Sequence, residues 1–419
     1  MSKIVIVGGG ISSCVIALFL LKKKHDVEIY EKKSDLGGIL NDFKINENIY
    51  FRGCQYLDVD NKWFKEFCDE LKEELNIFEH TYGSYVEING SKSLSKEFAV
   101  PFFEKIGLTN FNFSEDFNPP MISMSDRFNL YPKYIGKFFS EIIRKHKLDP
   151  DTLNFESAGS LQMSRITSKK ESDQLLELKR KNKVLDEIYA VQRKKIFKEE
   201  KKLLGALPKK GFTELFKELR LKLINYGVKI YTDYKIIPKW ENNKLKIYHL
   251  NKEIKNDKII WTGDPTKLIK GRINKEIESK HIKILQTNSD INKSKNFENR
   301  YIQIFSDKKT LTKIYLYKIN QIEKLSVESM YIKKPPKEIL NEALNILKKF
   351  NIYLELNEKS FSQKLDLRFN LVSLNDQNVI NQFLNSTKDS NLLPGAWLIY
   401  GRDRKLHFYL NNLEKNKFI

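Results

Sequence analysis

The chain has 419 residues, 41% of them hydrophobic and 12% aromatic, which is enough apolar mass for two domains and excludes a disordered or fibrous protein. Its three cysteines (Cys14, Cys54, Cys68) and six scattered histidines follow no disulfide or metal-ligand spacing, so no metal is expected and a reducing, cytoplasmic location is the simplest expectation. The formal charge of +20 comes mostly from lysines dispersed as in Lys179-Arg180-Lys181 and Arg193-Lys194-Lys195; that pattern describes solvated helix faces rather than a nucleic-acid footprint, although it would attract an anionic or nucleotide-linked small molecule or an acidic membrane surface.

The first predicted element is a strand, Ile4-Val5-Ile6-Val7. It runs into the turn Gly8-Gly9-Gly10-Ile11-Ser12-Ser13 and then into an apolar helix beginning at Cys14. A second strand, Val27-Glu28-Ile29-Tyr30, ends at Glu31, followed by Lys32. A glycine turn at the head of a βαβ unit, with an acid at the tip of the second strand, is the arrangement that binds the adenosine and pyrophosphate of a dinucleotide. The helix N-terminus offers backbone N–H groups and the positive end of its dipole to the phosphates. Gly8 supplies the tight turn, and Gly10 leaves room for the phosphates to reach the backbone. Ser13 stands where the fingerprint carries Gly or Ala, which costs some closeness between helix and strand. Glu31 can accept both hydroxyls of an adenine ribose and repels a 2′-phosphate, so FAD or NAD fits and NADP does not. Three glycines inside the apolar run over residues 4–21, one lysine before it and no small-residue cleavage site argue against a signal peptide or a membrane anchor; no transmembrane segment is expected.

The next segment is Lys32-Lys33-Ser34-Asp35-Leu36-Gly37-Gly38. An acid, a short linker and Leu-Gly-Gly resemble the flavoprotein group of amine oxidases, protoporphyrinogen oxidases and UDP-galactopyranose mutase. The resemblance implies FAD as cofactor, with Gly37 and Gly38 letting the backbone pass beside its flavin end. It continues more loosely. Tyr50-Phe51-Arg52-Gly53-Cys54-Gln55-Tyr56 resembles the segment beneath the flavin, which makes Gly53 a cofactor candidate and Arg52, Gln55 and Tyr56 substrate candidates. Leu207-Pro208-Lys209-Lys210-Gly211-Phe212 opens a helix over residues 213–226, and residues 227–234 read as a returning parallel strand with Tyr234 at the adenine. A hairpin over 237–240 and 244–250 follows. Residues 257–263 form the next strand, ending in Thr262-Gly263, and Trp397-Leu398-Ile399-Tyr400-Gly401-Arg402 resembles a last strand and a Gly-Arg turn at the flavin.

Between these pieces lie segments of other character. Residues 61–75 and 172–202 have the period of amphipathic helices, and 84–88 reads as a strand. Residues 301–306, 311–317 and 325–332 read as antiparallel strands, with Tyr315 and Tyr317 on one face as substrate candidates. Pro335-Pro336 then starts a helix over 337–350. The expected class is therefore α/β, a Rossmann-like FAD-binding domain with a parallel sheet plus a mixed α+β substrate domain with an antiparallel sheet. The expected boundaries are 1–56, 203–268 and 394–419 for the first domain, and 57–202 and 269–393 for the second.

The resemblance implies an FAD-dependent oxidoreductase that removes a hydride from a small-molecule substrate. Two alternatives stand beside it. One is a mutase-like flavoenzyme acting on a nucleotide sugar, against which Gln55 occupies the position of that enzyme's histidine. The other is a non-catalytic nucleotide-binding protein, which Ser13, Gln55 and the ending Gly401-Arg402-Asp403-Arg404-Lys405 keep open. No catalytic triad or paired-carboxylate motif is seen, as expected where the cofactor carries the chemistry.

Overall fold

The β-branched run that opens the chain forms a strand, β1 (Lys3–Val7), in the computed structural model. The structure describes residues 2–45, 47–53, 56–59, 61, 64–79, 81–88, 91–95, 100–101, 123–131, 133–161, 163, 166–167, 172–182, 185, 188–190, 204–278, 280–330 and 334–415. Contacts divide the chain into two units, one of Met1–Ile77, Gly205–Glu278 and Asn375–Ile419, the other of Phe78–Leu204 and Ser279–Leu374.

In the first unit, β1 leads to α1 (Ile11–Lys22) and β2 (Asp26–Tyr30), then α2 (Phe212–Asn225), β3 (Lys229–Tyr231), β4 (Lys258–Trp261), β5 (Leu392–Leu393) and α3 (Arg402–Lys415). The sheet order is β3-β2-β1-β4-β5 and every pairing is parallel. The chain therefore leaves β1 toward one side and later returns on the other. The crevice at the carboxyl end of β1 is the switch point where open α/β sheets bind ligands. Ile4, Val5 and Ile6 are wholly buried, as are Cys14, Ile16, Ala17 and Leu20 of α1. Apolar residues surround that helix because it is covered by the sheet and by α3.

The expected hairpin forms between Ile237–Glu241 and Lys244–His249. Asn242 and Asn243 make its two-residue turn at φ +46° and +64°, the left-handed pair that a tight hairpin demands and asparagine tolerates. A third strand, Lys252–Ile254, completes this small sheet. Two expectations for this unit need correction. Residues 397–400 are not a strand; the last strand of the sheet is β5, and Trp397 instead donates its indole N–H to the Gly263 carbonyl at 2.9 Å. The helix expected over 61–75 is only Lys65–Glu70, followed by a 3₁₀ turn at Lys72–Glu74.

The second unit is built on a large sheet. Its order runs Tyr353–Leu356, Lys280–Lys295, Ile322–Met330, Leu311–Ile319, Arg300–Ser306, Thr81–Ile88, Ser91–Ser95, with Ser362–Leu371 also paired to Lys280–Lys295. All pairings are antiparallel except that of Arg300–Ser306 with Thr81–Ile88. One face carries an aliphatic core (Ile302, Ile314, Leu316, Leu325, Val327) under the helix Pro336–Lys349, which presents Ile339, Leu340, Ala343, Ile346 and Leu347 at helical spacing. The helix expected over 172–202 ends at Lys181, and Tyr189–Ala190 is a short strand; residues 191–202 lie outside the described residues. Among the described residues, no helix is long and apolar enough to cross a membrane.

Candidate functional site

The site is built around the turn between β1 and α1. Gly8 sits at φ +111°, and a Cβ there would lie 2.4 Å from Thr262 Oγ1. Gly9 is also confined, since a Cβ would meet Leu36 Cδ2 at 2.7 Å. Gly10 differs: a Cβ on it would touch nothing within 4 Å. That open space lies directly before the first turn of α1, where Gly10 is the N-cap, no side chain caps the helix and no acid lies in the first turn. Ile11, Ser12 and Ser13 thus begin a helix whose leading N–H groups are directed at room for an anion.

Glu31 is 7% exposed. Its Oε2 accepts from Gly9 N at 2.5 Å and its Oε1 from Lys33 N at 2.8 Å. The carboxylate therefore locks the glycine turn as well as lining a cleft of about 200 Å³ together with Gly8, Lys32, Tyr234 and Gly263. Lys235 and Lys267 add further positive charge to that cleft. Tyr234 is held there by stacking on His249, ring centroids 3.9 Å apart, and its N–H donates to the Glu31 carbonyl at 2.9 Å. Glu31→Gln keeps the shape but replaces one acceptor by a donor facing a backbone N–H. It is expected to weaken binding of ADP about tenfold, with about 1–3 kcal/mol lost from stability. Titration calorimetry with ADP checks this, and an unchanged affinity would remove Glu31 from the site.

Thr262 joins β4 to the turn. Its hydroxyl donates to the Val7 carbonyl at 3.1 Å, so the 2.8 Å contact with Ser13 is one in which the serine donates. Ser13 is wholly buried. The departure from Gly or Ala is thus accommodated by a hydroxyl partner, which the spacing of the fingerprint alone did not reveal.

Gly37 and Gly38 close the other side of the same opening. Gly37 N donates to Gly9 O at 2.7 Å, and Gly37 pairs with Gly10 as an isolated parallel bridge. A Cβ on Gly38 would lie 3.3 Å from Gly10 Cα. Gly37, at φ +107°, is pressed against α2, where a Cβ would meet Phe216 Cδ2 at 2.5 Å. The loop is tied to α2 by Asp42, which sequence reading passed over. Asp42 Oδ2 accepts from Thr213 N at 3.0 Å, and Asp42 N donates to Thr213 Oγ1 at 3.1 Å. It caps a helix 171 positions further along the chain.

Burial pushes the Asp42 carboxyl up to about 7, opposed by the backbone hydrogen bonds from Thr213 and Phe212. A carboxyl whose folded pKa is raised favours the fold when protonated. Its contribution is complete below its ordinary value of 3.8 and is lost as pH rises through about 7. Asp42→Asn is therefore expected to flatten the fall in stability between about pH 4 and 7.5, a fall on the order of 4 kcal/mol at most. Unfolding midpoints across that range check it.

The remaining sequence candidates are placed as follows. Gly53 sits at φ +73° in the turn after Phe51, with Arg52 half-buried beside it. Gln55 and Cys54 lie outside the described residues. Gly401, at φ +90°, precedes α3, and Arg402 opens that helix. Arg402 Nη2 donates to the Tyr56 carbonyl at 2.7 Å and its guanidinium lies 5.9 Å from the Phe64 ring centroid, so this arginine braces the 56–64 segment. Tyr315 and Tyr317 belong to the second unit, where both are buried and stacked on each other at 5.0 Å.

Residues 6–71 match the family described as an NAD(P)-binding Rossmann-like domain. No curated protein matches the chain in sequence. Solved structures are similar over the full length. Reduced UDP-galactopyranose mutase is 12% identical with a TM-score of 0.64, covering 100% of this chain and 97% of that one. A provisionally assigned protoporphyrinogen oxidase from Exiguobacterium sp. 255-15 is 11% identical with a TM-score of 0.58, covering 99% and 98%. Putrescine oxidase bound to putrescine is 10% identical with a TM-score of 0.55, covering 98% of each chain. At these identities the likeness is one of fold.

Proposed function

We propose that this chain, which has the fold of the FAD-dependent superfamily of amine oxidases, protoporphyrinogen oxidases and UDP-galactopyranose mutase, is itself an FAD-dependent oxidoreductase acting on a small molecule. The observation that carries the reading is the side-chain-free lip formed by Gly10 and Gly38 in front of an uncapped helix N-terminus. A binder of NAD alone needs the first glycine turn; the second, folded against it, supports a cofactor that continues past the pyrophosphate.

The residues present fit that group. The first turn of α1 would hold the pyrophosphate, Glu31 the ribose, and Tyr234 the adenine end, with Lys32, Thr262 and Gly263 around them. Gly53, Gly401 and Arg402 are the candidates for the flavin end. Bound FAD supplies the electron acceptor that the side chains lack. The protein's part is to neutralise the diphosphate, to fix the cofactor's direction and to recognise the substrate, which in this reading falls to the second unit. A second reading, chemistry on a sugar as in the mutase, is favoured by one feature, the buried polar face of the second unit's sheet.

The test is the visible spectrum of the purified protein after incubation with FAD and gel filtration. Bands of bound oxidised flavin are expected. A colourless protein that retains no FAD overturns the proposal.

A further inference from the structure

Among the described residues, three hairpins turn through two residues that are both left-handed. They are Asn242-Asn243 at φ +46° and +64°, Asn320-Gln321 at +49° and +64°, and Leu250-Asn251 at +46° and +63°. The last joins Lys244–His249 to Lys252–Ile254 in the small sheet of the first unit. Such turns favour Asn, Asp or Gly, because a Cβ at positive φ crowds the neighbouring carbonyl and only a short polar side chain offsets this locally. Leucine cannot. Leu250 is also 79% exposed, more than any other large apolar side chain among the described residues. It neither eases its turn nor fills a core. The chain uses asparagine twice at the equivalent position, so a strained and exposed leucine here is explained by what it meets outside the chain.

The surroundings of the tip say what that is. His249 is held by its stack on Tyr234, and its Nδ1 lies 3.3 Å from the Lys235 carbonyl oxygen, so Leu250 stands on a fixed base. Ile237, 40% exposed, adds a second apolar group on the neighbouring strand, where it pairs with Tyr248. Residues 235–255 contain six lysines and two acids. Both acids are spent on one lysine: Glu241 and Glu253 lie 2.8 Å and 3.5 Å from Lys246 Nζ. Lys252, opposite His249 in register, and Lys235 are both exposed, and among the described residues neither has a carboxylate partner. An apolar tip flanked by unneutralised lysines fits the interface of a bilayer with anionic headgroups. There the leucine enters the acyl boundary while the amines stay at the phosphates. A nucleic acid would engage the lysines but has no use for the leucine.

We propose that the hairpin tip at Leu250 docks this protein on an anionic membrane surface, with Lys235 and Lys252 at the lipid phosphates. One leucine and a few lysines give reversible, peripheral docking, not insertion across the bilayer. The inference goes beyond the flavoenzyme reading and does not depend on it.

The experiment is co-sedimentation of the full chain, incubated with FAD, with two kinds of vesicle: phosphatidylcholine alone, and phosphatidylcholine with phosphatidylglycerol in equal parts. The mixed vesicles are expected to bind about tenfold more tightly at low salt, and the difference should vanish at high salt. Leu250→Asn installs the residue that the two sister turns carry. It is expected to raise the unfolding midpoint and to weaken binding to the mixed vesicles about tenfold, two effects of opposite sign from one change. Lys252→Glu is expected to weaken that binding without raising the midpoint. Failure of the wild type to bind the mixed vesicles overturns the proposal. So does binding by Leu250→Asn equal to that of the wild type, which would mean that dispersed lysines on a chain of charge +20 attract any polyanion, lipid or nucleic acid.

Discussion

Gly10→Val is expected to yield a folded protein that has lost at least a hundredfold in affinity for FAD. The backbone at Gly10 is extended, φ −72° and ψ 172°, a conformation that valine adopts without strain. Its Cβ would point into space where nothing lies within 4 Å. The side chain would then stand where the diphosphate must meet the leading N–H groups of α1, and the charge could no longer reach them. Gly8 provides the contrast. At φ +111°, with Thr262 Oγ1 2.4 Å from a Cβ, any substitution there damages the turn itself, so lost binding would carry no information about the ligand. Circular dichroism and the unfolding midpoint of the Gly10 variant should match the wild type while the flavin absorbance after gel filtration disappears. Retained flavin would mean that the diphosphate does not lie at this turn.

The difference between these two glycines also explains what could be read in advance. The opening βαβ unit is legible because its constraints are local: a β-branched strand, a turn whose Gly8 and Gly9 leave no room for a side chain and an apolar helix all fall within thirty residues. The partners that complete the turn are not local. Ser13 is satisfied by Thr262, 249 positions away, and Asp42 caps a helix 171 positions away. No spacing rule links such pairs. The run 397–400 misled for a related reason: its apolar residues suit a strand, but Trp397 is tied to Gly263 through its indole and Ala396 N to the hydroxyl of Tyr409, so the segment serves as packing instead of joining a ladder.

The second unit was legible where one face of a strand is aliphatic, as in residues 301–306 and 311–317. It was not legible at Lys280–Lys295, the longest strand of its sheet. Gln286, Thr287, Asn288, Ser289 and Asp290 follow one another in it, and of these Asn288 and Asp290 are residue types that strands usually avoid. Alternation of apolar and polar residues cannot reveal a strand whose inward face is itself polar. The local rules fail where polar side chains fill a buried sheet face.

That face should also be where single substitutions cost the most stability. Lys324 is 2% exposed and its ammonium lies 2.5 Å from Asp290 Oδ1, whose side chain is 14% exposed. Lys324→Met keeps the length of the stem and removes the charge. The Asp290 carboxylate would then be left partly buried without its cation, at a cost of about 3–5 kcal/mol. Removing both charges should cost much less, because the pair owes most of its apparent strength to the penalty of leaving one member alone. The double variant Lys324→Met, Asp290→Leu is accordingly expected to recover the greater part of the loss, and the double-mutant cycle measured by urea unfolding isolates the coupling. If the single variant were as stable as the wild type, the carboxylate would have found water or another cation, and the pair would carry no coupling.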